Sequence, residues 1–137
     1  MINMKLKVMY KLNEVDIMED KPAEIDLNLK DLSYYTETEQ YHKLLGVNIT
    51  DGIDYIIKNG YSWFVTDALV SIRMKKNLKD QEFLSVKLII NEDKTAVVNI
   101  EDGDLNVLYT QEYKYTNCKV NLKLFYIDDV LLLAREY

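Results

Sequence analysis

The beginning of the chain alternates between apolar and polar side chains. Residues 4–12 place an apolar side chain at every second position, with lysines between them. A period of two is typical of a β-strand with one buried face. The pattern therefore predicts an N-terminal strand, followed by a turn around Pro22, the only proline of the chain.

The spacing then becomes helical. Thr36 and Glu39 are spaced like a capping box, which predicts a short helix ending near Gly46. Thr50 is a candidate N-cap for a second helix, and Asn59-Gly60 is a typical C-terminal stop. The residues before Thr36 fit either the end of a strand or the start of a helix, so that boundary stays open.

A third helix is predicted from Ser62, and it ends in a basic run between residues 73 and 79. From Phe83 onward apolar residues again occupy every second position, which indicates strands. Turn signals separate these strands at Asn91–Lys94, Asp102-Gly103 and Asp128-Asp129. Short connections favour pairing between consecutive strands. The pattern predicts an antiparallel β-meander whose last strand runs from Val130 to Arg135.

Together these elements predict an α+β fold. It comprises an N-terminal strand, a block of about three short helices, and an antiparallel β-meander of at least four strands against which the helices pack. We expect residues 29–137 to form a single domain, with residues 1–28 as an N-terminal strand and connection added to it. A chain of 137 residues is long enough for one real core and too short for two.

Two features predict the cellular location. The longest apolar run, Val130–Ala134, is far shorter than the roughly 20 residues needed to cross a bilayer. The first residues lack the apolar region of a signal peptide. We therefore expect no membrane association and a location in the cytoplasm.

The charge is acidic and unevenly spread. The formal net charge is −6, and residues 31–72 carry six acidic residues against two lysines. Such a field repels nucleic-acid phosphates at long range and attracts basic protein surfaces. This predicts no direct nucleic-acid binding and a partner that is itself a basic, nucleic-acid-binding protein. Taken alone, however, the charge favours the simpler interpretation of ordinary solubility over a functional acidic face, since small domains commonly carry such a charge.

Tyrosine is unusually frequent, with eleven copies against three phenylalanines. Five of them lie between residues 34 and 61, in the acidic segment. Tyrosine serves both as a half-buried core residue and as an interface anchor. We expect the core for most of them and an interface for the pair Tyr34 and Tyr35.

No residue pattern indicates catalysis. His42 and Cys118 are the only histidine and the only cysteine, and neither lies in a recognised catalytic motif. The run Glu101–Asp104 superficially resembles a calcium loop, but the remaining ligands are missing. We expect no enzymatic activity, no cofactor and no metal site, and we expect both His42 and Cys118 to be replaceable without loss of function.

Three stretches carry a resemblance: YTETEQYHK at 35–43, TDGIDYIIKNGYSWFVTDAL at 50–69, and the terminal LLLAREY. They resemble a family of small uncharacterised proteins, a domain of unknown function, from phages, plasmids and other bacterial mobile elements. The similarity covers roughly residues 29–137. It departs where Glu37 replaces a glycine and where His42 replaces an aromatic residue. The family has no established activity, so no catalytic residue is transferred.

The resemblance implies a setting on mobile elements, where small acidic proteins often block host machinery, anti-CRISPR proteins being the prominent class. Our leading hypothesis is a non-enzymatic inhibitor that binds a host defence nuclease such as a CRISPR-Cas effector. The alternative is an immunity or antitoxin-like partner of a basic toxin, and a small enzyme is third. The sequence leaves the target and the oligomeric state open.

The candidate partner-binding residues combine aromatic anchors with unbalanced acids. They are Tyr34, Tyr35, Glu37, Glu39, Asp51 and Asp54. A protein that inactivates a nucleic-acid enzyme can present carboxylates where phosphates would lie. If these residues are not the interface, a face of the β-sheet is the alternative.

Overall fold

The computed structural model describes residues 27–137, so the predicted N-terminal strand lies outside the described residues. The α-helices are α1 (Leu29–Leu32), α2 (Asp51–Ile56), α3 (Ser62–Met74) and α4 (Lys76–Lys79). The strands are β1 (His42–Leu44), β2 (Val47–Ile49), β3 (Phe83–Ile90), β4 (Ala96–Glu101), β5 (Val107–Tyr113), β6 (Leu122–Ile127) and β7 (Val130–Leu133). A wide helical turn, Ile57–Tyr61, joins α2 to α3, and a 3₁₀ helix, Ala134–Glu136, follows β7.

All seven strands form one mixed sheet in the order β1-β2-β7-β6-β3-β4-β5. Neighbouring strands are antiparallel except β2 and β7, which run parallel with Asn48 opposite Val130. The α+β class is therefore confirmed, with more strands than the minimum of four that the pattern predicts. The helices precede the long strands in the chain, as predicted.

The predicted pairing of consecutive strands is wrong at one point. β5 is followed by β6, yet β6 pairs with β3, where Val86 lies opposite Leu124. The reason is burial: the core-facing side chains of β3, Leu84, Val86 and Leu88, are at most 1% exposed, so β3 must have a strand on each side. Residues 114–121 carry the chain back across the sheet.

The helix predicted between Thr36 and Gly46 is also wrong, because this segment forms the β1–β2 hairpin. Its two-residue turn has positive φ at both Leu45 and Gly46, 52° and 79°, as a type I′ turn requires. Thr36 and Glu39 have the spacing of a capping box, but a strand follows them in the chain instead of a helix. The open boundary before Thr36 is settled as a helix, since Asn28 caps α1 by accepting hydrogen bonds from the N–H groups of Lys30 and Asp31.

The other predicted helix signals are confirmed. Thr50 is the N-cap of α2, and its hydroxyl accepts the Ile53 N–H at 3.3 Å. Gly60, with φ of 99°, breaks the helix after Asn59. Helix α3 begins directly afterwards, at Ser62. Tyr61 fixes this junction: its side chain is completely buried, and its hydroxyl donates to the Val120 carbonyl oxygen and accepts the Val120 N–H.

The helices pack on one face of the sheet and form the core with it. The fully buried side chains come from both layers, and the largest are Tyr61, Phe64, Ile53, Ile56, Leu69, Ile72, Leu78, Leu84, Leu88, Ile100, Leu124 and Leu131. The opposite face of the sheet, here called the outer face, carries Phe83 and Phe125, whose rings are tilted by 51° with 5.1 Å between their centroids. No helix in the described part of the chain is long and apolar enough to cross a membrane.

The end of the chain differs from the prediction. The turn at Asp128-Asp129 is confirmed, with φ of 52° and 62°, and Tyr126 donates a hydrogen bond to Asp129. Burial and this bond raise the pKa of Tyr126 to about 12. The last strand, however, ends at Leu133 rather than Arg135, because Glu136 turns back towards α2.

Candidate functional site at the start of helix α2

The first turn of α2 is closed by a carboxylate from the other end of the chain. Glu136 accepts hydrogen bonds from the Thr50 hydroxyl at 2.6 Å and from the Gly52 N–H at 3.1 Å. It also accepts the Leu133 N–H at 2.9 Å. A helix start exposes unpaired N–H groups and carries partial positive charge, so a carboxylate stabilises it. The stretches around residues 50 and 136 are therefore one structural unit.

This contact explains the glycine at position 52. A Cβ atom added there would lie 2.5 Å from the Glu136 Oε1 atom and 2.6 Å from the Leu133 Cδ1 atom. Both distances are shorter than any real contact. Glycine is required because the carboxylate approaches the backbone this closely.

Asp51 ties the preceding segment to the same helix start. Its Oδ1 lies 2.9 Å from His42 Nε2, and its Oδ2 accepts the Glu39 N–H at 3.0 Å. Its own N–H donates to the Thr38 hydroxyl at 2.9 Å. The hydrogen bond with His42, followed by that from Glu39, holds the pKa of Asp51 below its ordinary value. Asp51 is thus an anchor for residues 38–42.

The anchored segment presents its side chains outward. We call residues 33–41 the display loop. Tyr34 and Tyr41 are 69% and 57% exposed, and Glu37 and Glu39 are exposed as well. Tyr35 is half-buried and stacks on Tyr55, with 4.9 Å between ring centroids. The display loop therefore offers two tyrosines and two carboxylates on a backbone held by α2.

The predicted site residues divide into two groups. Tyr34, Glu37 and Glu39 lie on the display loop with exposed side chains. The other three have internal roles: Tyr35 packs on Tyr55, Asp51 anchors the loop, and Asp54 pairs with Lys58 at 2.8 Å. Among the predicted acidic residues, Glu37 and Glu39 are therefore the two whose carboxylates have no partner within residues 27–137.

Sequence reasoning missed four residues of this site. Thr38, Tyr41, His42 and Glu136 all contribute to the display loop or its support. All four lie in the stretches that carry the family resemblance, which was the available signal. Glu136 has no local signal, since it is 84 positions from Gly52.

The side chains of this site form hydrogen bonds that hold the backbone, and the exposed ones are available for contacts with a partner. His42 and Asp51 form a pair of the kind found in catalytic relays. A relay needs a third group on the other ring nitrogen, and within residues 27–137 the side chain of His42 bonds Asp51 alone. Cys118 is buried on another part of the fold, with its sulfur 3.5 Å from the Gly60 carbonyl oxygen. The described residues contain no group of three or more potential metal ligands.

A groove of about 460 Å³ lies elsewhere, at the ends of β3, β6 and β7. Leucines and the cationic residues Lys87, Lys123 and Arg135 line it, and no residue of the display loop does. The groove and the display loop are separate features.

The fold and the site together define a class: a small α+β domain with helices on one face of a mixed sheet and an anchored loop of tyrosines and acids. Residues 26–137 match the family described as "Family of unknown function (DUF6876)", and the chain belongs to this family. This confirms the resemblance as far as a domain of unknown function. No curated protein matches the chain. No solved structure matches it either.

Proposed function

We propose that this protein is a non-enzymatic binding protein, encoded by a phage or mobile element, that inhibits a host defence nuclease such as a CRISPR-Cas effector in the bacterial cytoplasm. The observation that supports the proposal is the display loop. It combines exposed tyrosines with carboxylates that have no partner among the described residues.

The anchoring of the loop is what favours binding. A loop that is ordered before it meets its partner loses little conformational entropy on binding. Three contacts hold the display loop itself, two to Asp51 and the stacking of Tyr35 on Tyr55, and the hydrogen bond between His42 and Asp51 fixes the residue that follows the loop. Tyr34 and Tyr41 then act as anchors, because large aromatic side chains supply most of the energy of typical interfaces.

The carboxylates supply the attraction to a basic partner. Asp51 and Asp54 already have partners on the same chain, His42 and Lys58, so Glu37 and Glu39 carry this role. Acidic groups beside aromatic anchors suit a surface that normally binds nucleic-acid phosphates. Charges at the rim of an interface act mainly on the association rate.

The first experiment measures inhibition in cells. A strain with an active CRISPR-Cas effector is transformed with a plasmid that the effector targets, in the presence of each variant. We expect the wild type to protect the plasmid and Glu37→Lys/Glu39→Lys to lose protection. The control Glu82→Lys/Glu92→Lys makes the same charge change at exposed positions outside the display loop and should protect. Equal behaviour of the two double variants would contradict the proposal.

A second experiment identifies the target. The wild type and Glu37→Lys/Glu39→Lys are each used to capture proteins from a host lysate at low and at physiological salt. A nuclease retained by the wild type and not by the variant supports the proposal. A basic toxin retained in the same way supports the alternative, an immunity or antitoxin-like protein.

A further inference from the structure

β5 is the long outer strand of the sheet. Within residues 27–137, β4 is the strand that pairs with it, and its other side has no strand neighbour. The opposite edge of the sheet is β1, which has only three residues. β5 has seven, enough for several consecutive backbone hydrogen bonds.

The hydrogen bonds at both ends of β4 show which groups of β5 point outward. The Asp102 N–H donates to the Asn106 carbonyl, and the Thr116 N–H donates to the Lys94 carbonyl. The backbone groups of even-numbered β4 residues therefore form their hydrogen bonds with β5. The β5 residues that lie opposite them are Tyr109, Gln111 and Tyr113. Because consecutive residues of a strand alternate in direction, the N–H and C=O groups of Thr110 and Glu112 point away from the sheet.

One contact confirms this direction. The Asn77 side-chain amide, on α4, donates to the Leu108 carbonyl oxygen at 3.1 Å. This carbonyl belongs to the same outward set as those of Thr110 and Glu112. α4 therefore covers the beginning of the edge, and the stretch from Thr110 to Tyr113 stays open in the described structure.

The open stretch lacks three of the devices by which proteins block strand pairing, which are proline, lysine and a bulge, and Glu112 is its one charged residue. It contains no proline and no lysine, and the register shift between β4 and β5 is confined to the start of β5, between Ile100 and Glu101 on β4. An unblocked edge of this length is a template for another strand. Main-chain hydrogen bonds then supply affinity, and alternate side chains supply specificity.

The charges beside the edge indicate what kind of strand fits. Lys75 lies over the Tyr109 ring, with its Nζ atom 4.7 Å from the ring centre. Lys76 and Lys79 are exposed on α4, beside the start of β5, and Lys114 is exposed just after its end. These four lysines stand against three acidic residues, which are Glu112 on the strand, Asp67, which accepts a hydrogen bond from Tyr113, and Asp80 at the end of α4. This local excess of positive charge, in a chain of net charge −6, complements an acidic segment.

We propose that the outer side of β5 binds an extended, acidic segment of a partner protein as an added strand. The added strand pairs with the N–H and C=O groups of Thr110 and Glu112, and its acidic side chains face the lysines of α4. This surface is independent of the display loop, so it goes beyond the function proposed above. A variant that loses binding at one of the two surfaces is therefore expected to keep binding at the other.

The test uses the full chain and a fluorescein-labelled peptide of alternating valine and glutamate, with a valine–lysine peptide as its opposite. We expect fluorescence anisotropy to show binding of the acidic peptide only. Thr110→Pro removes an outward N–H. It should weaken binding by about tenfold, which is the loss expected when one hydrogen bond is removed. Thr110→Ala keeps the N–H and is the matched control.

A second pair of variants tests the charges. Lys76→Glu/Lys79→Glu should abolish binding of the acidic peptide, whereas Lys30→Glu/Lys43→Glu changes the same number of exposed lysines elsewhere and should leave it intact. Hydrogen exchange supplies a readout that does not depend on the proline variant folding. The amides of Thr110 and Glu112 should exchange fast in the wild type and slow down when the acidic peptide is added.

Four outcomes would overturn the proposal. In the first, neither peptide binds, or both bind equally. In the second, Thr110→Pro and Thr110→Ala bind alike. In the third, both amides are already protected in the dilute wild type, so the chain itself fills the edge. In the fourth, protection rises with protein concentration together with the measured mass, so a second copy is the occupant.

Discussion

At the scale of single residues, Gly52 shows how a side chain from a distant segment restricts a position. Replacing glycine by alanine inside a helix normally stabilises a protein by about 1 kcal/mol. At position 52 the added methyl group overlaps the Glu136 carboxylate and the Leu133 side chain.

We therefore predict that Gly52→Ala lowers the free energy of unfolding by about 2 kcal/mol, the range of overpacked sites. Gly103→Ala is the control, because its nearest contact, Phe83 Cδ2, would be at an ordinary 3.6 Å. Urea unfolding of both variants measures the difference. Two equally stable variants would show that Glu136 does not hold its position on α2.

Asp51 sets a second prediction at this scale, which concerns pH. Its pKa in the folded protein is lowered by the hydrogen bonds from His42 and from the Glu39 N–H, so the unfolded chain takes up the proton first. The stabilisation is complete above the ordinary pKa of 3.8 and is lost as the pH falls through the lower folded value.

Between pH 5 and pH 3 the free energy of unfolding should therefore fall more steeply in the wild type than in Asp51→Asn. Thermal unfolding at a series of pH values measures both slopes. Asp93 and Asp102 also have lowered pKa values, so the wild-type loss is a sum and the informative quantity is the difference between the two proteins. Parallel curves would exclude Asp51 as a contributor.

At the scale of elements, the display loop depends on α2 for its order. The Thr38 hydroxyl accepts the Asp51 N–H and donates to the Gln40 carbonyl oxygen. We predict that Thr38→Val accelerates hydrogen exchange at the Asp51 amide and loosens the loop. Thr36→Val, at an exposed position of the same loop, is the control and should leave this exchange unchanged.

The loop variant also separates support from contact. If the loop must be ordered before it binds, Thr38→Val slows association with the captured partner although no contact residue is changed. Unchanged association, together with faster exchange, would show that order in the loop is not needed.

At the scale of the whole molecule, stability comes from one core between the helices and one face of the sheet. Phe64 on α3 is completely buried, whereas Phe125 on the outer face is half-buried. Phe64→Ala should lower the free energy of unfolding by about 4 kcal/mol. That is a large part of the roughly 5–15 kcal/mol typical of a domain.

Phe125→Ala is the matched control and should cost less than half as much, because it leaves no enclosed cavity. Denaturant unfolding checks both. A cost at Phe125 as large as at Phe64 would mean that the outer face is covered in the full chain.

The extent to which the sequence predicted this molecule varies with the range of the interactions. The helix cap at Thr50, the break at Gly60 and the turn at Asp128-Asp129 all follow from local backbone preferences, and the structure has each of them. For the candidate site residues, the pairing of Asp54 with Lys58 is an i,i+4 contact that follows from local helix geometry. The role of Asp51 depends instead on His42, which only the folded chain brings within hydrogen-bonding distance.

What the sequence by itself determined is therefore the local structure and the alternation that buries one face of each strand. Only the tertiary structure decided that residues 42–49 form a hairpin, that β6 returns to β3, and that Glu136 closes α2. The physical reason is that these choices depend on contacts between distant segments. β3 needs a strand on both sides to bury its side chains, and the start of α2 needs a carboxylate that only the end of the chain supplies.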